Sequence, residues 1–429
     1  MRDWIFCDGE GRERGPIDRR AALAAGIGAA VWWMGARTAF AQAALRPDRS
    51  DGPVMVVVFL RGGADGLNIV SPYQEDAYYR LRPTLAIAKP SARSNPAGER
   101  LIDLDGFFGL NPALAMLEPH FKEGKLGFVH ACGSADSTRS HFEAMGTMER
   151  GAESAPSQQL SGWIARHLNT TPERRNPMRA VALTSVAPDS LLGNTSALTI
   201  QNLEDYRLGI EDGHSLRALQ ALYAPGDDIL SISGRDTISV LDTLKRLDPR
   251  KYTPAAGANY PETEFGRSLK QTAFLIKGGF GLEIAALDLG GWDSHIAQGT
   301  TSGWLTNLLT ELGGAVDAFL RDLGADASRV SLVVQTEFGR TNEENSGFGT
   351  DHGRGGVMLL AGAGVQGGKV HGKWPGLTSV RREGPGDLDV TTDYRTVLAG
   401  LVSGHLGNRN VAEVFPGADL RPVSAVRPG

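Results

Sequence analysis

Cysteine is almost missing from this 429-residue chain, which has only Cys7 and Cys132. If a leader containing Cys7 is removed, no intrachain disulfide can form and the fold must rest on its core. Lys/Arg-rich blocks are also absent, and the formal net charge is -5. That argues against nucleic-acid binding, which needs a basic footprint. Long apolar runs are lacking as well. The uncharged stretch from Ala21 to Ala36 has 16 residues, short of the roughly 20 that span a bilayer as a helix. Its Ala- and Gly-rich composition is only mildly apolar, so no permanent membrane span is expected in the mature form. No internal repeat or long low-complexity segment is evident.

What flanks that stretch points to export. Arg19 and Arg20 stand directly before it, and Ala39, Ala41 and Ala43 after it offer Ala-x-Ala cleavage sites. This is the order of a cleavable signal of the twin-arginine type, although Asp18 stands where such signals usually carry Ser or Thr. Residues 1–43 are therefore expected to engage the twin-arginine translocase and be lost on delivery to the periplasm or another extracytoplasmic space. Removing residues 1–41 takes away six Arg (2, 12, 14, 19, 20, 37) and five acids (Asp3, Asp8, Glu10, Glu13, Asp18), moving the net charge from -5 to -6.

The rest of the chain reads as α/β. Val54 to Leu60 is a continuous apolar run that breaks into Arg61-Gly-Gly-Ala-Asp65-Gly66. Strands apolar on both faces belong in the middle of a parallel sheet covered by helices. Leu126 to Ala131, Leu282 to Leu289 and Val330 to Val334 repeat the form, and Val357 to Ala361 adds a further strand. Between the third and fourth, apolar residues from Trp304 to Leu323 recur at helical spacing, giving a strand, helix, strand crossover. A helix is expected to begin at the good N-cap residue Asp393. Residues 150–280 have helical stretches near 214–223, 235–247 and 262–277 and only short strand candidates. The reading is one α/β domain over 44–429, with a mostly parallel central sheet flanked by helices and a helical insertion at about 150–280.

Ligands gather at the carboxyl ends of such strands, and acids and imidazoles recur there. The first strand delivers Asp65. The second delivers His130 and then Ser137-Thr-Arg139-Ser140-His141. The third delivers Asp293 and His295. The fourth delivers Glu337 and Arg340, followed by Asp351, His352 and Arg354. Carboxylates mixed with imidazoles suit a borderline divalent metal, zinc or manganese, better than calcium. Each residue taken alone has a structural alternative: Asp293 a turn cap, His295 a satisfied loop histidine, Glu337 with Arg340 an ion pair.

Phe59-Leu-Arg-Gly-Gly-Ala-Asp-Gly-Leu67, Arg139-Ser-His-Phe142, Gly290-Gly-Trp-Asp-Ser-His295, Thr336-Glu-Phe-Gly-Arg340 and Gly349-Thr-Asp-His-Gly353 are similar to the successive signatures of an exported bacterial family. So are the stretches around His371 and Asp393. That family is described only as a domain of unknown function and is usually placed in the alkaline phosphatase and sulfatase superfamily. The resemblance spans roughly residues 40–417. It implies an alkaline-phosphatase-like fold, with Asp65 binding one metal and Asp293 with His295 another. A further Asp-His pair is expected where Glu337 and Phe338 stand, and a last His corresponds to His352. Glu337 can ligate; Phe338 cannot. No His occurs between Ile296 and Leu312, where the family commonly has another. One metal, two or none stay open.

The resemblance also implies a nucleophile at a helix N-terminus after the second strand, Ser140 first and Ser137 second. Arg139, with Arg340 and Arg354, would hold an anionic ester substrate. Cys132 lacks the Cys-x-Pro-Ser-Arg context of formylglycine sulfatases and reads as a buried thiol. The expected function is metal-dependent hydrolysis of phosphate or sulfate esters. The alternative is a non-catalytic binding protein that keeps the fold.

Overall fold

Strand β1, Val54–Leu60, is buried along its whole length, as a strand apolar on both faces requires. The computed structural model describes residues 52–153, 159–171, 176–194, 197–206, 213–224, 226, 228–377 and 386–427. The segment expected to be an export signal, with Arg19 and Arg20, lies outside them. Joining β1 in the main sheet are β2 (Leu126–Gly133), β3 (Ala180–Leu183), β4 (Leu198–Thr199), β5 (Ile284–Leu289), β6 (Val330–Thr336), β7 (Gly356–Gly362), β8 (Val370–His371) and β9 (Thr392–Asp393). Their spatial order is β8-β2-β7-β6-β1-β5-β3-β4, with β9 also paired to β2. Every pairing is parallel except those of β7 with β2 and β6. The main helices are α1 (His141–Arg150), α2 (Trp163–Thr170), α3 (Gly213–Tyr223), α4 (Ile229–Leu247), α5 (Glu264–Lys277), α6 (Trp304–Leu323) and α7 (Tyr394–Gly404).

Side chains alternate along β1 as a pleated strand requires. Met55, Val57 and Phe59 join a core with Trp163, Ile164 and Leu168 of α2 and Tyr394, Val397, Leu398 and Leu401 of α7. The expected crossover is present as β5, α6, β6, with β1 lying between the two strands. Leu305, Leu309, Leu312, Val316 and Phe319 form the buried stripe of α6. Trp304 departs from that stripe: it is 55% exposed, and its Nε1 donates to the Gly291 carbonyl. Asp393 caps α7 by accepting from the Arg395 N–H.

Residues 150–280 supply the short strands β3 and β4 beside their helices. These strands have four and two residues, too few for alternation to register. The described residues of 204–248 fall in a smaller unit, and the sheet belongs to the other, which takes in 47–203 with 249–429. Within the smaller unit, Asp228 caps α4 by accepting from Leu230 and Ser231, and the α4 residue Arg235 donates to the Tyr223 carbonyl of α3. Among the described residues no helix is long and apolar enough to cross a membrane. Cys132 is buried as a free thiol, and burial pushes its pKa up.

His130 on β2 gives the fold a pH dependence. Its Nε2 donates to the Val70 carbonyl and its Nδ1 accepts from the Ala131 N–H, so the buried ring is neutral. Burial lowers its pKa from 6.5 to about 4. Between those values the unfolded chain takes up a proton that the folded chain refuses. Stability should therefore fall as pH drops through this window, by about 3 kcal/mol in all. Urea midpoints at pH 7.5 and 4.5 test this. His130→Gln should lose part of the pH dependence, and an unchanged dependence in that variant would rule out His130 as its source.

Candidate metal centre

Strands β6, β1 and β5 are neighbours, so the loops that follow them open side by side at one edge of the sheet. Because β7 runs antiparallel, its beginning lies at that same edge and brings Asp351 and His352 with it. The chain leaving β2 adds Ser137 to His141 beside β7. Four side chains from distant parts of the sequence meet there as a result: His141, Asp293, His295 and His352.

Asp293 Oδ1 is their meeting point. His295 Nε2 lies 3.1 Å from it, His352 Nε2 3.2 Å and His141 Nε2 3.5 Å. The ligand atoms of His141, Asp293 and His352 fall within 4.8 Å of one another, and the Nε2 atoms of His295 and His352 are 2.9 Å apart. Each ring's other nitrogen is already engaged. Nδ1 of His141 donates to Glu337 Oε1 at 2.8 Å, Nδ1 of His295 to Asp351 Oδ1 at 2.9 Å, and Nδ1 of His352 to the Arg139 carbonyl at 2.8 Å. A neutral imidazole that donates through Nδ1 keeps a lone pair on Nε2. Three lone pairs thus face one carboxylate oxygen, and buried His141 Nε2 has no hydrogen-bond partner. This donor set fits a divalent cation, and backing the rings with acceptors is how metal-binding histidines are oriented.

The charges around the cluster agree with that fit. Burial alone would raise the pKa of Asp293, but the hydrogen bond from Arg340 and the charges nearby outweigh it and hold the carboxyl at about 2. Burial lowers the pKa of His352, favouring the neutral ring. Accepting Glu337 raises that of His141, so a metal there competes with a proton.

The other expected residues lie around the cluster in different roles. Glu337 stands behind His141 and does not face Asp293: Oε1 accepts from the Gly62 N–H and His141, and Oε2 from Thr336 Oγ1. Asp65 is apart from the imidazoles. Its Oδ2 accepts from Arg82 Nη1 and Gln298 Nε2, both at 2.6 Å, and its Oδ1 caps the short helix Gly66–Ile69 through the Leu67 N–H. Phe338, where the resemblance expects a histidine, is a wall whose ring lies 4.9 Å from that of His141 and 4.8 Å from that of His352.

None of the three arginines expected to grip an anion is free of protein acceptors. Buried Arg340 donates to the carbonyls of Gly62, Gly63, Trp292 and Thr350 and to Asp293 Oδ1. It ties together the loops after β1 and β5 and the loop before β7, and its ion pair is with Asp293 instead of Glu337. Arg139 donates to the His352 carbonyl and pairs with Asp387 at 2.7 Å, while Arg354 donates to the Ala135 carbonyl. Ser140 occupies the N-cap position of α1 without a side-chain cap bond, and Ser137 is exposed.

Two glycines of the motifs have a direct reason. A Cβ on Gly62, whose φ is +122°, would sit 2.6 Å from the Asp293 nitrogen, and one on Gly349 would sit 2.3 Å from the His295 carbonyl oxygen. Only a residue without a Cβ lets these backbones approach so closely. His141 is the member of the cluster that sequence reading missed. It stands beside Ser140 in Arg-Ser-His-Phe, and its place on the ligand-bearing edge was the available signal.

Among solved structures, the chain is similar to alkaline phosphatase from the Antarctic bacterium TAB5, at 10% identity over 73% of this chain and 92% of that one, with a TM-score of 0.30. A variant of the TAB5 enzyme with bound magnesium is similar at 10% identity over 73% and 91% of the two chains, with a TM-score of 0.31. No curated protein matches the sequence. The family profile described as protein of unknown function (DUF1501) matches residues 53–401, and the chain belongs to that family.

Proposed function

We propose that this protein is a metal-dependent hydrolase of phosphate or sulfate esters, using one zinc or manganese ion held by His141, Asp293, His295 and His352. The observation that carries the reading is the convergence of three Nε2 lone pairs on Asp293 Oδ1, each ring fixed from behind by an acceptor. A bound cation would supply Lewis acidity, activating a hydroxyl or water and offsetting charge on the ester. The chain's own residues prepare the site. Arg340 positions Asp293 and keeps it ionised; Glu337, Asp351 and the Arg139 carbonyl orient the rings; Phe338 packs against those of His141 and His352. Ser140, at the N-terminus of the 10-residue α1 and next in sequence to His141, stands where helix N–H groups favour an anion. Twin-arginine export through Arg19 and Arg20 suits such a protein, because a chain that folds before crossing can acquire its metal in the cytoplasm.

A binding protein without turnover is the second reading. It is favoured by the commitment of Arg139, Arg340 and Arg354 to protein acceptors. Zinc- and manganese-loaded protein should hydrolyse an aryl phosphate or aryl sulfate, with Ser140→Ala losing turnover but keeping its metal. Binding of an aryl phosphonate with no hydrolysis of either ester would decide for the second reading.

A further inference from the structure

We infer that the ester carries a flat apolar group, such as an aryl ring, which is recognised by a hydrophobic rim around the metal cluster; this rests on the hydrolase reading above. Exposed large apolar side chains are ordinary when scattered, but here two directly follow ligands and two more are bonded to the ligand loops. Phe142 comes directly after His141 and is 87% exposed, and Ile296 comes directly after His295 and is 77% exposed. Phe348 is 61% exposed and Trp304 is 55% exposed.

Hydrogen bonds tie the segments carrying Ile296, Phe348 and Trp304 to the loops that bear the ligands. The turn carrying Phe348 is bonded to the chain after Ile296, since Ala297 N–H donates to the Gly347 carbonyl and Gln298 N–H to that of Phe348. Asn345 of the same turn donates through Nδ2 to the His295 carbonyl and to Asp351 Oδ1, the group that orients His295. Phe348 itself has a φ of +58°, a left-handed conformation that bulky residues rarely adopt, and such strain persists where the surroundings enforce it. The Trp304 indole is tied to the Gly291 carbonyl, on the loop that carries Asp293. The rim is therefore built with the cluster. Its apolar side chains stand in water, while Arg340, the fully buried cation beside Asp293, is satisfied within the protein. An ester with a charged head for the cation and a hydrocarbon face for the rim matches both parts, since aromatic surfaces supply most of the burial in small-molecule sites.

The test is calorimetric titration of zinc-loaded protein with phenylphosphonate and with methylphosphonate, which share the anionic head. Phenylphosphonate should bind at least about 10-fold more tightly. Phe348→Ser and Ile296→Ser should each reduce that preference several-fold, leaving metal content and methylphosphonate affinity unchanged. Equal affinity for the two probes in the unmodified protein would overturn the rim's role and leave the hydrolase reading standing. Binding of neither probe to metal-loaded protein would overturn both. A dimer in sedimentation that Phe348→Ser dissociates would assign the rim to a second copy of the chain and also overturn the inference.

Discussion

Asp293→Ala is expected to abolish metal binding while leaving the protein folded. Asp293 is the anionic member of the cluster, and its Oδ1 lies within 3.5 Å of all three Nε2 atoms. Losing a metal ligand should weaken binding by more than the roughly 10- to 100-fold typical of losing an outer-shell partner. The fold should survive because Asp293 is half-exposed and Arg340 keeps the carbonyls of Gly62, Gly63, Trp292 and Thr350 as acceptors. His141→Ala should act the same way, since its Nε2 has no other partner. Elemental analysis of purified protein, paired with circular dichroism, checks both variants. Full metal content in either would remove that residue from the centre.

Asp65→Ala should do the opposite, destabilising the fold while sparing the metal. The Asp65–Arg82 pair is almost completely buried, with side-chain exposures of 1% and 0%. Deleting one partner of such a pair leaves an uncompensated buried charge, at a cost of about 3–5 kcal/mol. Arg82 keeps the carbonyls of Thr341 and Asn342 and Asn68 Oδ1 as acceptors, which places the expectation toward the lower end of that range. Gln298 would lose its acceptor as well. Urea denaturation measures the loss. If metal content fell in step with that of Asp293→Ala, Asp65 would be a ligand after all, as the superfamily resemblance implies.

Long signals were legible in the sequence and cross-sheet pairings were not. The seven buried residues of β1 and the apolar stripe of α6 follow directly from pattern, because burial on two faces or one leaves a period that can be counted. The short strands β3 and β4 carry no such period. In the site, the positions of Asp293, His295 and His352 follow from the rule that ligands gather at strand ends. What Arg340 and Asp65 bind does not. Glu337 is an acid near Arg340 in the chain, yet the partner that the fold supplies is Asp293, and nothing near Asp65 in sequence announces Arg82 or Gln298. Glu337 illustrates the same limit. A carboxylate at a strand end reads as a ligand, and only its geometry, with both oxygens occupied by Gly62, His141 and Thr336, places it behind His141 as an acceptor. The antiparallel course of β7 is a further case, since it brings the chain before that strand to the ligand edge.

X-ray absorption at the zinc edge, on chelator-stripped protein reloaded with one equivalent, tests the metal centre most directly. The expected spectrum is that of a single zinc with several imidazole nitrogens at about 2.0–2.1 Å and a carboxylate oxygen, reduced in imidazole scattering by His141→Ala. Zinc that stays in solution, or bound zinc without imidazole scattering, would contradict a centre built from His141, Asp293, His295 and His352.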